Sequence, residues 1–584
     1  MAPSTAPISE IAASARRTWR ELALFMLFAF VLIGAGIGLR DPWPADEPRF
    51  ALVAKQMVDS GDWLIPHRGS ELYSDKPPTF MAMQALAYVL TRNWRIAFLL
   101  PSLIFSLGTL WLVYDLARRL WNHRVGLYGA GALLFTVQFL FQAKAAQIDP
   151  TVTFFITLAN YGLLRHFLLG PCWRWYWLGC FAAGLGVITK GVGIVAGLMF
   201  VPYVFARRRG WEHLAPIENN PWRWVAGIVW FMFALSLWLV PMLIKVHEVG
   251  TPRYLAYAHD ILFHQTAGRY TGSWDHHQPV WFYLVVVLTG WLPLSLTYPF
   301  TISAWRERLA ARDARFLLTL GWVVLMIAFF SIPSGKRDVY IMPALPIMAL
   351  VSAPFLQEAL QRRWLKRAAL ALIALFGTIF LAGGVYALFV HPPRALEFAA
   401  QHGLSRDGDA LWLLSIAIGS AALIPAIVFR ARCGVHALLF GLSGMWMLWS
   451  FCAYPLLNDS TSAAAVMRRT REIIGADGQL AMVAWREQDL FLADRPVTEF
   501  GLNAPWHEQL SQAIRWQQGV PQDRWIFILV DAMKPCIATD RSRYLGVANR
   551  RHWWLFRTDA VAQACRGGRV PVIAGEGPDR NNPE

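Results

Sequence analysis

The sequence predicts a polytopic α-helical membrane protein with a small α/β domain at its C-terminal end. Of its 584 residues, 56% are hydrophobic and only 16% are charged, whereas a soluble chain is about one-quarter charged. Its mean hydropathy is +0.37, and 13 apolar runs approach the length needed to cross a bilayer. These observations exclude a disordered, a disulfide-stapled and an ordinary cytosolic protein.

The apolar runs follow one another through residue 456. The first, 21–39, has no convincing small-residue cleavage site, so we expect a retained anchor. The others occupy 96–117, 124–143, 150–169, 173–189, 191–206, 224–245, 280–303, 316–332, 339–356, 368–390, 410–429 and 436–456. The pair at 173–206 is the weakest, because its two short runs meet at Lys190-Gly191.

The positions of the basic residues predict the orientation of these spans. The chain has 54 Lys and Arg against 38 Asp and Glu, a net charge of +16. Clusters such as Arg207–Arg209, Arg306–Arg315 and Arg362–Arg367 fall in alternate loops, on the same side as Arg16 and Arg17. The positive-inside rule makes that side cytoplasmic. The basic surplus is therefore mainly a topology signal, and no nucleic-acid partner is expected.

The opposite side contains the loops 41–95 and 246–279 and the chain after residue 456. We therefore expect a transmembrane domain at 1–456 and an α/β domain on the outer side at 457–584, with a helix near 460–474. Strand-like runs lie at 480–485, 525–530 and 553–556. Cys536 and Cys565 both lie in the second domain, and the sequence leaves open whether they pair.

Two short helices are expected in the first outer loop. Phe50, Val53 and Met57 recur at helical spacing, which predicts an amphipathic helix in the membrane interface. Asp46 or Glu47, followed by Pro48, could cap its start. Residues 79–91 are too few to span and predict a second interfacial helix.

The unusual polar residues cluster on this outer side. They are Asp46-Glu47, Asp75-Lys76, Asp149-Pro150, the loop from His264 to Arg269, and the turn from Lys336 to Tyr340. Each has a structural interpretation, such as a helix cap for Asp46 or a structural histidine for His264. Together, cations that can hold a phosphate leaving group and carboxylates that can orient a hydroxyl predict chemistry on a phosphate-bearing lipid.

The sequence contains no Walker A loop or nucleotide fingerprint. We therefore expect no nucleotide cofactor, and the energy for the reaction must reside in the substrate itself.

These residues also carry a family resemblance. Residues 46–78, DEPRFALVAKQMVDSGDWLIPHRGSELYSDKPP, resemble the first periplasmic loop of bacterial aminoarabinose (lipid A) transferases and of their protein O-mannosyltransferase relatives. The likeness continues through QIDP at 147–150, the 264–269 loop and SGKRDVYIMPALP at 334–346. It covers most of the membrane part. The combination of these motifs is specific to the family, although each motif alone is weak evidence for it.

The resemblance implies a GT-C glycosyltransferase fold with a polyprenyl-phosphate sugar as donor. It implies catalytic roles for Asp46, Glu47 and Asp149. Positions that bind the donor phosphate or line its cavity are Lys76, Arg269, Tyr73, Tyr340 and Lys336. Asp75 and His264 match positions that bind a divalent metal ion (zinc, magnesium or manganese), although many aminoarabinose transferases have glutamate at the position of Asp75.

The implied reaction moves 4-amino-4-deoxy-L-arabinose or a related sugar from undecaprenyl phosphate to lipid A or another periplasm-facing acceptor. It would take place at the bacterial inner membrane, and membrane lipid would be a partner. Protein O-mannosyltransferase-type transfer to Ser or Thr stays open. A lipid or sugar transporter or flippase is the alternative from another class. It is less favoured, because functional charges of transporters lie near the bilayer midplane, whereas these carboxylates lie at the outer mouths.

Overall fold

The computed structural model describes residues 8–218, 220–268, 277–404 and 408–572. Its α-helices up to residue 249 are α1 Ile8–Gly34, α2 Glu47–Ser60, α3 Thr79–Thr91, α4 Trp94–Ala97, α5 Leu100–Leu120, α6 His123–Phe135, α7 Val137–Ala143, α8 Ile148–Leu168, α9 Trp173–Lys190, α10 Phe200–Arg208 and α11 Pro221–Val249. Those that follow, up to residue 461, are α12 Pro252–His259, α13 Phe282–Thr289, α14 Tyr298–Ala310, α15 Ala314–Ser331, α16 Ala344–Ala359, α17 Arg363–Val390, α18 Pro393–Gln401, α19 Gly408–Phe429, α20 Gly434–Leu448 and α21 Tyr454–Thr461.

Many of these helices suit a membrane. Within the described ranges, six are long and apolar enough to cross one, and eight when the bent pairs α6–α7 and α13–α14 each count as one span. Each predicted apolar run overlaps one or more helical segments. On α11, Ile228 and Val229 expose 63% and 61% of their surface, as expected for side chains that face lipid. The prediction of a polytopic helical membrane protein is confirmed.

Helices α8 and α9 pack closely enough to bring their outer ends together. A Cβ atom added at Gly162 of α8 would lie only 2.2 Å from the carbonyl oxygen of Trp175 in α9. Only glycine permits such an approach of two helix backbones. The start of α8, with Asp149, therefore lies beside the end of α9, with Lys190.

The first outer loop contains both predicted helices, α2 and α3, but the apolar face of α2 packs against the protein and does not face lipid. Its apolar side chains are buried, with Phe50 only 4% exposed. The rings of Phe50 and Phe80 meet edge to face with centroids 5.4 Å apart. Because α3 covers this face, the apolar residues that suggested membrane contact pack inside the protein. Asp46 occupies the N-cap position of α2, but its side chain makes no capping hydrogen bond.

Residues 464–572, called the C-terminal region below, contain a five-stranded mixed sheet. Its strands are β3 Gln479–Val483, β4 Val497–Glu499, β5 Arg524–Leu529, β6 Arg543–Ala548 and β7 Arg551–Phe556, in the order β4-β3-β5-β7-β6. Strand β3 is parallel to β4 and β5, whereas β7 is antiparallel to β5 and β6. The helices of this region are α22 Ala464–Ile474, α23 Glu487–Leu492 and α24 Trp506–Gln518. Cys536 and Cys565 are disulfide-bonded, with Cα atoms 5.6 Å apart.

The C-terminal region lies directly against the first outer loop. That loop includes a short hairpin formed by β1 His67–Arg68 and β2 Glu71–Leu72. The ammonium of Lys55 in α2 donates to the carbonyl oxygen of Phe491 at 2.9 Å, and the Ser70 amide donates to Glu499 at 2.5 Å. The charged residues of the first loop are therefore partly enclosed by residues more than 400 positions further along the chain.

Candidate active site

Asp46 lies at the centre of a charged cluster on the outer side. Its Oδ2 accepts a hydrogen bond from Nη2 of Arg337 at 3.3 Å, and its Oδ1 lies 3.5 Å from Nη1 of Arg49. Burial opposes ionisation of this carboxyl, but the charges of Arg49, Arg337 and Lys190 outweigh that effect and lower its pKa. Asp46 is therefore an ionised carboxylate at neutral pH.

Asp149 pairs with a cation from the neighbouring helix. Its carboxylate accepts from the ammonium of Lys190, and both side chains are at least 90% buried. The ammonium of Lys190 also lies 5.4 Å from the centroid of the Tyr340 ring, which favours a cation there. The start of α8, the end of α9 and the 338–341 turn thus meet at one point.

The two aspartates share their cations although they lie about 100 residues apart in the chain. Burial disfavours the charged form of Arg337, but the nearby charges of both Asp46 and Asp149 raise its pKa above the ordinary value. Lys190, bonded to Asp149, also acts on the charge of Asp46. The structure therefore brings together Asp46, Asp149 and Tyr340, which the sequence analysis selected separately.

Tyr73 and Asp75 extend this cluster along the first loop. The Tyr73 ring is 2% exposed, and the guanidinium of Arg68 lies 5.5 Å from its centroid. Burial is the largest cause of a raised pKa at Tyr73, so its hydroxyl is protonated. Nη1 of Arg68 lies 3.9 Å from Oδ2 of Asp75. The ammonium of the adjoining Lys76 donates to the carbonyl oxygen of Asp75 at 2.9 Å.

Glu47 faces away from Asp46 and forms a buried ion pair with Arg40. One of its oxygens accepts from Nη2 of Arg40 at 2.7 Å and from the Ala146 amide at 2.8 Å. The other accepts from the Trp43 amide at 2.8 Å. The Arg40 guanidinium also lies 4.9 Å from the centroid of the Tyr454 ring. These contacts join several outer loops, so Glu47 has the environment of a structural residue.

Lys336 is also engaged by the protein itself. It is 3% exposed, and its ammonium donates to the carbonyl oxygens of Gln278 and Pro333 at 3.1 and 2.6 Å. Lys336 therefore links the outer loop that contains Gln278 to the turn that contains Pro333. Its neighbour Arg337 is the residue of this turn that reaches Asp46.

His264 lies in a π-helical turn, Asp260–Gly268, beside the first loop. Its Nδ1 is 3.0 Å from Asp260, and Asp260 also accepts a hydrogen bond from Ser74. A cavity of about 520 Å³ borders this contact and is lined in part by Glu71, Ser74 and Arg253. The predicted phosphate ligand Arg269 lies outside the described residues.

Some residues of the cluster were not selected by sequence reasoning. Lys190 could have been predicted as a site residue, because the predicted topology places the end of its span on the same outer side as Asp149. Arg337 belongs to a polar turn from which only Lys336 and Tyr340 were chosen. Arg49 and Arg68 lie within residues 46–78 but were not singled out there, and nothing local in the sequence marks Glu487, which contacts both.

Comparison with known proteins gives matches in sequence and in fold. A family model described as dolichyl-phosphate-mannose-protein mannosyltransferase matches residues 75–240. An undecaprenyl phosphate-alpha-4-amino-4-deoxy-L-arabinose arabinosyl transferase of Pseudomonas aeruginosa (strain UCBPP-PA14) is 29% identical over 560 residues, covering 88% of this chain and 93% of the relative. A protein of the same name from Photorhabdus laumondii is 24% identical over 528 residues, covering 83% and 87%.

A solved structure, ArnT from Cupriavidus metallidurans bound to undecaprenyl phosphate, has a TM-score of 0.69 and 20% sequence identity. The match covers 91% of this chain and 97% of ArnT. The same protein in the apo state gives a TM-score of 0.70 at 19% identity and covers 93% and 98%.

The fold is that of the GT-C class of membrane glycosyltransferases. Within that class, the resemblance to aminoarabinose transferases and their O-mannosyltransferase relatives is confirmed, since similarity to the former extends over most of the chain.

Proposed function

We propose that this protein is an integral membrane glycosyltransferase that moves a sugar from undecaprenyl phosphate to an acceptor on the periplasmic side. The sugar would be 4-amino-4-deoxy-L-arabinose or a related one, and the acceptor lipid A or another periplasm-facing molecule. The observation that carries the proposal is a pair of neighbouring ion pairs, Asp46 with Arg337 and Asp149 with Lys190, at the outer end of a helical bundle. The relatives named for this transfer support it.

The cations of the cluster would hold the donor phosphate. Arg337 offers a planar fork that suits phosphate oxygens, and Lys76 and Lys190 add positive charge. When the bond between the anomeric carbon and the phosphate oxygen breaks, the electron pair stays with undecaprenyl phosphate. Preorganised cations stabilise that developing charge. Phosphate entry would partly replace the contacts that Arg337 and Lys190 make with Asp46 and Asp149.

Asp46 would bind and orient the sugar, including any amino group that it carries. Its lowered pKa makes it a permanent carboxylate but a weak base. A phosphate oxygen of lipid A is already an anionic nucleophile and can bond to the anomeric carbon without losing a proton. A Ser or Thr hydroxyl must transfer its proton to a base. A phosphate acceptor therefore needs no base from the site, whereas O-mannosyltransferase-type transfer does.

The metal implied at Asp75 and His264 stays a prediction. Among the described residues, no group of three or more His, Cys, Asp or Glu side chains is placed to hold an ion. Asp75 faces Arg68, and His264 faces Asp260. As these two residues are placed they do not form a metal site, and the steps above use none. Elemental analysis of the purified protein, compared with Asp75→Ala and His264→Ala, tests this prediction.

We further propose 13 spans in residues 1–456 and a periplasmic domain in 457–584. The overlap of every apolar run with helical segments supports the first proposal, and the mixed sheet after residue 478 supports the second. Both would place the charged cluster at the periplasmic face of the inner membrane. Cysteine-accessibility labelling of the outer and cytoplasmic loops in whole cells tests the orientation.

The activity is tested in membrane vesicles supplied with labelled undecaprenyl-phosphate sugar. We expect transfer by the wild type and its loss in Asp46→Asn and Asp149→Asn. Asp459→Asn is a matched control, because Asp459 is an exposed carboxylate paired with Arg468 at 2.6 Å. Full transfer in both active-site variants would contradict the assignment. Movement of the lipid between leaflets without covalent transfer would indicate a flippase.

The acceptor needs a separate measurement. Mass spectrometry of lipid A and of periplasmic proteins, from cells with and without this chain, distinguishes the two transferase alternatives. A sugar mass added to lipid A phosphate supports the proposal, whereas hexose on Ser or Thr of proteins supports the O-mannosyltransferase alternative.

A further inference from the structure

Glu487 of the C-terminal region lies between two arginines of the candidate active site. Its Oε1 is 3.2 Å from Nε of Arg49 and 3.7 Å from Nη1 of Arg68. Burial disfavours the charged form of Glu487, but Arg49 and Arg68 outweigh it and lower its pKa. Glu487 is thus a charged, 12% exposed side chain, 438 residues from Arg49 in the chain.

Each of these arginines also contacts a residue predicted to act on substrate. Arg49 lies 3.5 Å from Asp46, and Arg68 lies 3.9 Å from Asp75 and beside the Tyr73 ring. Carboxylates and guanidinium groups therefore alternate along the first loop, with Glu487 in the middle. The arginine contacts to Asp46 and Asp75 are longer than the usual 2.7–3.2 Å of an N–H···O hydrogen bond. Arg49 is closer to Glu487 than to Asp46.

This geometry has a consequence for Asp46. An arginine without a second carboxylate would move to a close bidentate pair with the remaining one. Asp46 would then be occupied by Arg49 instead of by the sugar. An Arg49 shared with Glu487 lies beside Asp46 without forming a close bidentate pair with it.

We propose that Glu487 is a positioning residue through which the C-terminal region completes the active site, by holding Arg49 and Arg68 away from full pairing with Asp46 and Asp75. The proposal rests on the glycosyltransferase function proposed above. It assigns the C-terminal region a part in the reaction beyond attachment to the first loop.

Other contacts provide a comparison for attachment alone. Glu499 of the same region accepts from the Ser70 amide at 2.5 Å and from the Gly501 amide at 2.6 Å. It holds the tip of the β1–β2 hairpin, where a Cβ at Gly69 would lie 3.0 Å from Glu499 and from Trp485. Glu499 is thus an acidic contact between the same two parts of the chain, but these hydrogen bonds go to backbone amides.

The experiment compares Glu487→Gln with Glu499→Gln in the full-length protein, in vesicles with labelled undecaprenyl-phosphate sugar. Glutamine keeps the shape and removes the charge. We expect Glu487→Gln to lower kcat roughly 10- to 100-fold, the usual effect of a misplaced active-site group. The donor KM should change less than kcat, because Arg49 contacts Asp46 and not the cations proposed for phosphate. Glu499→Gln should keep the wild-type kcat.

A double-mutant cycle tests whether Glu487 acts through Arg49. We expect Glu487→Gln to have a much smaller effect in an Arg49→Gln background than in the wild type, because coupled residues are not additive. Glu487→Asp, which retains the charge, should restore part of the activity. Thermal unfolding in detergent shows whether each variant is folded, and Glu487→Asp carries the test if Glu487→Gln does not fold.

Equal kcat values for Glu487→Gln and Glu499→Gln, or additive effects with Arg49→Gln, would overturn the proposal. These outcomes differ from failure of the proposed function. In that case the wild type itself would show no transfer, or Asp46→Asn would keep it.

Discussion

Arg337 and Asp46 are joined by a 3.3 Å hydrogen bond across 291 residues of sequence. This contact connects the turn before α16 with the start of α2, and so fixes the distance between two outer loops. It also places a guanidinium group beside the carboxylate proposed to bind the sugar. The charge of Asp149 also raises the pKa of this arginine.

We therefore expect Arg337→Gln to lower transfer roughly 100-fold, since it removes a cation proposed to stabilise the leaving phosphate. Arg337→Lys should retain more activity, because it keeps the charge but loses the planar fork. The measurement is transfer from labelled donor in vesicles, with exposed Arg394→Gln as control. Wild-type rates in Arg337→Gln would contradict the proposed phosphate contact.

Replacement of Glu47 should affect mainly stability. Glu47→Gln leaves the buried Arg40 charge without its partner, and breaking a buried pair costs about 3–5 kcal/mol. We expect a clearly lower thermal midpoint in detergent, whereas Asp46→Asn should fold normally and lose transfer. If Glu47→Gln were as stable as the wild type yet inactive, Glu47 would instead belong to the chemistry.

The lowered pKa of Asp46 gives a prediction for the pH dependence of transfer. With a folded-state pKa below 3.8, Asp46 is ionised throughout the neutral and mildly acidic range, so its protonation should not limit the wild-type rate there. In Arg49→Gln, burial is opposed by fewer cations, so the pKa rises and the acid limb of the pH–rate profile should move to higher pH. An unchanged acid limb would show that Arg49 does not set this pKa.

Asp489 in the C-terminal region predicts a pH-dependent stability. Burial raises its pKa from 3.8 to about 7, although Arg486 and Arg551 oppose the shift. Because the folded state binds the proton more tightly than the unfolded state, stability from this group is present below pH 3.8 and is lost as the pH rises through about 7.

Asp489→Asn removes this titration and can still accept the hydrogen bond from the Arg486 amide. We expect its thermal midpoint, relative to the wild type, to increase between about pH 5 and pH 8. A constant difference over that range would show that Asp489 is ionised in the folded protein throughout.

The C-terminal sheet and its disulfide show which features the local sequence could predict and which it could not. Strands β3, β5 and β7 are runs of large apolar residues, and each was expected within two residues of its observed position. Strand β4 is three residues long and β6 contains Gly546, so neither has a strong pattern. The pairing of Cys536 with Cys565 was left open, because it requires a distance that sequence does not contain.

The candidate site shows the same division. Asp46, Asp75, Lys76 and Asp149 could be selected because charged residues at the outer ends of apolar spans are rare and need a reason. The residues that these side chains contact could not be predicted in the same way. Whether Asp46 contacts Arg337, whether Glu47 binds Arg40, and whether Glu487 reaches Arg49 depends on loops far apart in the chain that fold against each other.

The sequence by itself determined that this is a helical membrane protein with scarce charges on its outer side, because hydropathy and charge placement are local properties of the chain. Only the tertiary structure decided which of those charges face each other. Asp46 and Glu47 are adjacent in the sequence, yet one joins the shared cluster and the other a buried structural pair. Their side chains point in different directions at the start of α2, and the loops packed on either side supply different partners.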